Sequence, residues 1–181
     1  MQIKQSVLIN RPREEVWLLF QDIPTIARCM PGAELTRDNG DGGYAGVVSI
    51  KLGPFKAAFE GEIKHEPDPA TFRGKAEGRG IDKKGGSRSR MTMNYALTDE
   101  GGATDLAIDA EVQLSGPVAQ FGRPGIVVET AKLLIQQFVT NIEAELNGAG
   151  VPDGAAKELS ALKLGSQVVG ASVKRWLGKE S

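Results

Sequence analysis

Residues 106–146 read LAIDAEVQLSGPVAQFGRPGIVVETAKLLIQQFVTNIEAEL, and the period of the apolar residues changes within them. Leu106, Ile108, Ala110, Val112 and Leu114 recur every second residue, with Asp105, Asp109, Glu111 and Gln113 on the other face. That is a strand with one dry side. Past Gly116-Pro117 the apolar residues are Val127, Ala131, Leu134, Ile135, Phe138, Ile142 and Leu146, three and four apart. This spacing predicts one long helix over about 118–147, with a kink or late start at Pro124 and an end at Asn147-Gly148. A lone striped helix has to bury its stripe, and a sheet's dry face is the only surface large enough to take it.

The chain before this stretch supplies that sheet. Ile3, Gln5, Val7 and Ile9 alternate as a first strand. Asn10 is placed to cap a helix entered through Pro12, with Glu14 and Glu15 in its first turn and Val16, Trp17, Leu19 and Phe20 on its apolar face. A short second helix fits 24–29, before Pro31-Gly32. Alternation then dominates. Tyr44, Gly46, Val48, Ile50 and Leu52 share one face, as do Phe55, Ala57, Phe59, Gly61 and Ile63. Phe72, Gly74, Ala76, Gly78 and Gly80 repeat the pattern, and so do Met91, Met93, Tyr95 and Leu97. Pro67-Asp68-Pro69, Gly85-Gly86 and Gly101-Gly102 punctuate the runs. The predicted order is strand, two helices, six strands, long helix: an α+β antiparallel meander with one dry and one wet face.

Composition limits what such a body does. The chain has 181 residues, 40% hydrophobic and 25% charged, with a formal net charge of −1. This excludes a disordered acidic tail and a strongly basic nucleic-acid binder. A single cysteine gives no disulfide framework, and a single histidine no His-rich metal site. Residues 1–10 lack the apolar core of a signal peptide, and no apolar run is long enough to span a bilayer.

The 23 glycines suggest a hole. On the run from 72 to 80 almost every inward residue is minimal in size, and a close-packed core needs bulk opposite. Two readings stay open. Either a bulky helix sits tight on a glycine floor, or the gap is an apolar pocket. The pocket reading names Phe59, Phe72, Gly74, Ala76, Gly78, Met91, Met93 and Tyr95 from the sheet, and Phe121, Val127, Leu134 and Phe138 from the helix side. Methionines adapt to a flexible apolar guest, and Tyr95, Ser87 and Ser89 are available to orient it.

Five segments carry a family resemblance: 12–20 (PREEVWLLF), 27–32 (ARCMPG), 53–61 (GPFKAAFEG), 74–80 (GKAEGRG) and 112–122 (VQLSGPVAQFG). Over residues 1–147 the chain resembles the START-like (SRPBCC) helix-grip superfamily, and more narrowly the carbon monoxide dehydrogenase family CoxG. The RCMPG stretch and the GPFK turn are the specific features. The resemblance implies a curved antiparallel sheet wrapped around the C-terminal helix and an internal apolar cavity. It also implies a molybdenum-containing CO dehydrogenase or related hydroxylase as partner, recruited to the membrane, and a quinone as cargo. The expected protein is a non-catalytic carrier or accessory of a lipophilic small molecule, with menaquinone or ubiquinone as ligand and no covalent cofactor. A ligand-free assembly factor and a small cyclase-like enzyme are the alternatives.

Residues 148–156 (GAGVPDGAA) read as a flexible linker between the 1–147 domain and an amphipathic helix over 157–178. Leu159, Leu162, Val169, Val173, Trp176 and Leu177 form its apolar side, beside Lys174 and Arg175. Such a helix lies on a membrane rather than crossing it, or packs on a partner or on the body. The expected location is cytoplasmic, at the inner face of the membrane.

Other motifs are weaker. Residues 73–90 hold seven basic residues against Glu77 and Asp82, mostly facing outward: a solvated face or a docking patch for acidic groups. No aromatics interleave with them, so nucleic acid is not expected. His65 reads as a surface or structural residue and Cys29 as a small buried loop thiol. Gly78-Arg79-Gly80 lacks the third glycine of a dinucleotide fingerprint, Lys83 standing there.

Overall fold

A computed structural model describes residues 1–151; the predicted helix over 157–178, with its six apolar contact residues, lies outside the described residues. The elements run β1 (Gln2–Ile9), α1 (Arg13–Gln21), α2 (Ile23–Cys29), β2 (Ala33–Gly40), β3 (Gly43–Leu52), β4 (Phe55–Asp68), β5 (Arg73–Asp82), β6 (Ser87–Asp99), β7 (Thr104–Ser115), α3 (Val118–Phe121) and α4 (Pro124–Leu146). All strands pair antiparallel in one curved sheet of order β1-β7-β6-β5-β4-β3-β2. The run from β2 to β7 is a meander. β1 completes the sheet by pairing with β7, placing the first strand beside the last.

Register confirms which side chains share a face. Val48 stands opposite Phe59 and Ile50 opposite Ala57. Ile63 pairs with Gly78, Gly78 with Met91, and Met91 with Val112. All lie on the inner face, as their alternation predicts.

Three expected boundaries move, each for a local reason. Asn10 is not the cap of α1: Pro12 occupies that position without a side-chain cap. Asn10 instead donates its backbone N–H and its amide to Glu143 Oε1 of α4, at 2.7 and 2.9 Å. The helix predicted from 118 onward is two. Gly122 closes α3 and Pro124 opens α4, because proline has no N–H to continue the ladder and holds Arg123 extended (φ −61°, ψ 138°). The run beginning at Phe72 starts one residue late. Phe72 sits in the β4–β5 turn at φ 53°, and β5 opens at Arg73.

The packed core falls into two clusters. One joins α1, α2 and the C-terminal half of α4 to the sheet through Trp17, Phe20, Cys29, Tyr95, Leu106, Phe138 and Ile142. The other joins Leu52, Ala57, Phe59, Ala110, Val118 and Val127 at the opposite end of the helix. α4 is therefore seated at its two ends.

Candidate functional site

Between the two clusters the facing surfaces do not close. Ile63 and Met91 of the sheet and Leu133, Leu134 and Ile135 of α4 are half-buried and belong to neither cluster. Val48 lies on the inner face by register, yet is 43% exposed. Apolar side chains on two facing elements that pack against neither cluster mark a gap, since protein interiors otherwise fill to crystal density.

The glycines on the floor differ in what covers them. A Cβ at Gly74 would meet the Tyr95 ring at 2.4 Å, so that position is a seat for the tyrosine. A Cβ at Gly80 would come within 2.9 Å of Phe59 Cβ. Gly78 is different: its nearest neighbours would be Glu62 O at 3.7 Å and Met91 Cε at 3.9 Å. The tight-floor reading holds at Gly74 and Gly80, and the open reading at Gly78. Ala76 beside them is buried.

The largest opening is a cavity of about 540 Å³ at the β3–β4 hairpin end. Ile50, Phe55 and Ala57 line it from the hairpin, Asp82 and Lys84 from the β5–β6 turn, and Thr130, Leu133 and Leu134 from α4. Its size is within the usual range for small-molecule sites. Leu134 is the one predicted site residue in this lining. Phe55 and Phe121 stack at 5.2 Å beside it, joining the hairpin to α3. Phe55 was legible as an inward residue, but its place beside the cavity depends on α3 being a separate helix.

The remaining predicted residues divide between the clusters. Phe59 and Val127 are buried in the cluster next to the cavity. Met93 packs against both clusters. Phe138 and Tyr95 are buried in the other, where Phe20 contacts both rings. Phe72 is drawn away from the gap: its ring meets Trp17 edge-on at 5.5 Å, and the Arg13 guanidinium lies 3.9 Å over it. Ser87 is committed to structure, its Oγ accepting from Val118 N–H at 3.0 Å to fix the start of α3. The buried Asp82 accepts from Lys84 and Gly85 N–H, both at 3.1 Å, and so closes its turn.

One polar pair stands on the inner face. The alternation through Phe55, Ala57, Phe59, Gly61 and Ile63 continues to His65, which is half-buried. Its Nε2 is 2.8 Å from the Tyr95 hydroxyl, and the two rings stack at 5.8 Å. Burial lowers the imidazole pKa from 6.5, which keeps the ring neutral, and raises that of Tyr95 to about 12. The parity that placed the other inward residues was the signal for His65. Cys29, at the end of α2, is fully buried, with its thiol pushed up to about 11 chiefly by burial, and is no nucleophile at neutral pH.

The outward basic run is largely paired. Arg79 bonds Glu62 at 3.0 Å, Lys75 bonds Glu77, and Lys83 bonds Glu60. Acids of β4 thus neutralise much of the patch, the half of the picture that residues 73–90 alone do not carry. Among the described residues no helix is long and apolar enough to cross a membrane, and no three His, Cys, Asp or Glu side chains gather to hold a metal ion.

Comparison with known proteins follows the same lines. No curated protein sequence matches the chain. Among solved structures, a conserved protein from Geobacillus kaustophilus is 21% identical, with a TM-score of 0.73 over 82% of this chain and 97% of that one. A STAR-related lipid transfer protein from Xanthomonas axonopodis is 13% identical, with a TM-score of 0.55 over 77% and 84% of the two chains. The Zhui aromatase/cyclase from Streptomyces sp. R1128 is 14% identical, with a TM-score of 0.52 over 83% and 98%. These likenesses establish a helix-grip fold of the START and Bet v 1 kind. The family model for the carbon monoxide dehydrogenase component CoxG matches residues 6–147, nearly the whole described body, and the chain belongs to that family.

Proposed function

We propose that the protein is a non-catalytic carrier whose gap between sheet and α4 takes a lipophilic ligand, an isoprenoid quinone, in the service of a molybdenum-containing hydroxylase of the CO dehydrogenase type. The observation that carries this is the divided core: both ends of α4 are buried while Leu134 and Ile135 at its middle face an unfilled floor at Gly78. An apolar guest there gains about 0.8 kcal/mol for each methylene withdrawn from water, before the costs of ordering it. Membership of the CoxG family supports the accessory role and the enzyme partner. Binding and chemistry are both known uses of helix-grip bodies. Here the acids near the cavity are engaged in turns and surface pairs, which favours binding. The basic, Trp176-bearing tail is the element we assign to peripheral membrane contact, placing the protein at the inner face of the cytoplasmic membrane.

The test is mass spectrometry of an organic extract from the purified full-length protein after incubation with quinone-containing membranes. A quinone at close to one per chain is the expected result. A clean extract would remove quinone carriage and favour docking or assembly of the partner enzyme.

A further inference from the structure

The His65–Tyr95 pair has no role in the apolar reading, and it is costly to bury. Two polar groups leave water at the inner face of the sheet, on a row that contains Ala76 and Met93. The bonding pattern fixes where each proton lies. Tyr95 keeps its hydroxyl proton, and the Gln21 side chain hydrogen-bonds to the same phenol oxygen. An amide N–H at that oxygen leaves the phenol proton directed at His65 Nε2, 2.8 Å away. A neutral imidazole that accepts at Nε2 carries its own proton on Nδ1. Among the described residues Nδ1–H has no acceptor. Nor is it sealed in: the one fully enclosed, unpartnered side-chain polar atom among them is Arg13 Nε. A single oriented donor thus stands two residues along the same face from Ile63, which borders the gap.

Resting on the reading of that gap as a ligand site, we propose that His65 Nδ1, oriented by Tyr95, is the hydrogen-bond donor that receives a carbonyl oxygen of the bound ligand and so distinguishes a quinone from a plain hydrocarbon of the same shape. Tyr95 is the positioning residue. Its ring is held over Gly74 and against Phe20, so the phenol cannot swing away.

The test uses the full-length chain and two probes of one skeleton, menadione and 2-methylnaphthalene, which differ in the two carbonyls. His65 is the chain's only histidine, so selective ¹⁵N-histidine labelling gives a single imidazole. The expected spectrum has Nδ1 protonated and Nε2 bare, and menadione shifts Nδ1 while methylnaphthalene does not. In titrations, H65F weakens menadione about three- to tenfold and leaves methylnaphthalene unchanged, which also shows that the variant is folded. H65Q, which retains an N–H donor, recovers part of the loss. Y95F keeps the ring over Gly74 and loses menadione preference through the tautomer alone. Equal affinities of H65F and the unsubstituted chain for menadione would overturn the anchor while leaving the ligand site intact. Failure of both probes to bind would overturn the ligand site and the anchor with it.

Discussion

His65 shows how much a single position can hold back from sequence reading. The alternation from Phe55 to Ile63 extends to it without a break, and its inward placement was there to be read. Its partner was not, because Tyr95 lies 30 residues away and meets it only across β5. The glycines carry the same lesson in finer form. By residue type Gly74, Gly78 and Gly80 are one floor; Tyr95 and Phe59 cover two of them, and which side chain leans where is a property of packing. Burial of His65 also makes a pH prediction. Its folded-state pKa lies below the unfolded value near 6.5, so in the window between them the unfolded chain binds the extra proton. Stability is therefore at its full value above about pH 6.5 and declines as pH falls toward the lowered folded-state value. Urea melts between pH 7.5 and 5.5 are expected to show that decline in the native sequence and not in H65Q. An identical slope in both would place the proton elsewhere.

The elements were legible where their pattern is periodic and buried on one side. The switch of period at Gly116-Pro117 located β7 and α4, and Pro124 marked the break that separates α3 from α4. β2 gave no run of its own, for a physical reason. It is the edge strand, mostly exposed, and its pairing with β3 slips between Leu35 and Arg37 and again between Asp38 and Gly40, so inward and outward residues lose their alternation. Nor did periodicity show how α4 is tied down. Asn141, 2% exposed in the helix stripe, donates its amide to Cys29 O at the end of α2 at 2.8 Å and accepts from Gln137 at 3.0 Å. This bond clamps α2 to the seated half of α4. N141A leaves a buried carbonyl without its donor and is expected to cost about 1–3 kcal/mol, read from denaturant unfolding. A loss within error would mean that packing of Phe138 and Ile142 alone holds the helix.

Across the whole molecule, the helix-grip body follows from one apolar sheet face and one striped helix, and both could be seen in the chain. The position of the opening could not. The residues expected to line it were chosen for facing inward, yet inward residues at both ends are consumed by the two packed clusters, and only the middle of α4 and the row through Ile63, Gly78 and Met91 stay uncovered. Seating a helix at both ends and leaving its centre unpacked forfeits stabilisation that a continuous core would have, and a bound apolar molecule returns it. Gly78 tests this most directly, because a side chain there meets nothing closer than 3.7 Å. The measurement is titration of the full-length chain and of G78L with a short-tailed menaquinone, alongside their thermal melts. The gap predicts that the leucine fills the ligand's place: affinity drops tenfold or more, while the melting temperature holds or rises. Unchanged affinity in a G78L protein that melts normally would contradict a ligand site between the sheet and α4.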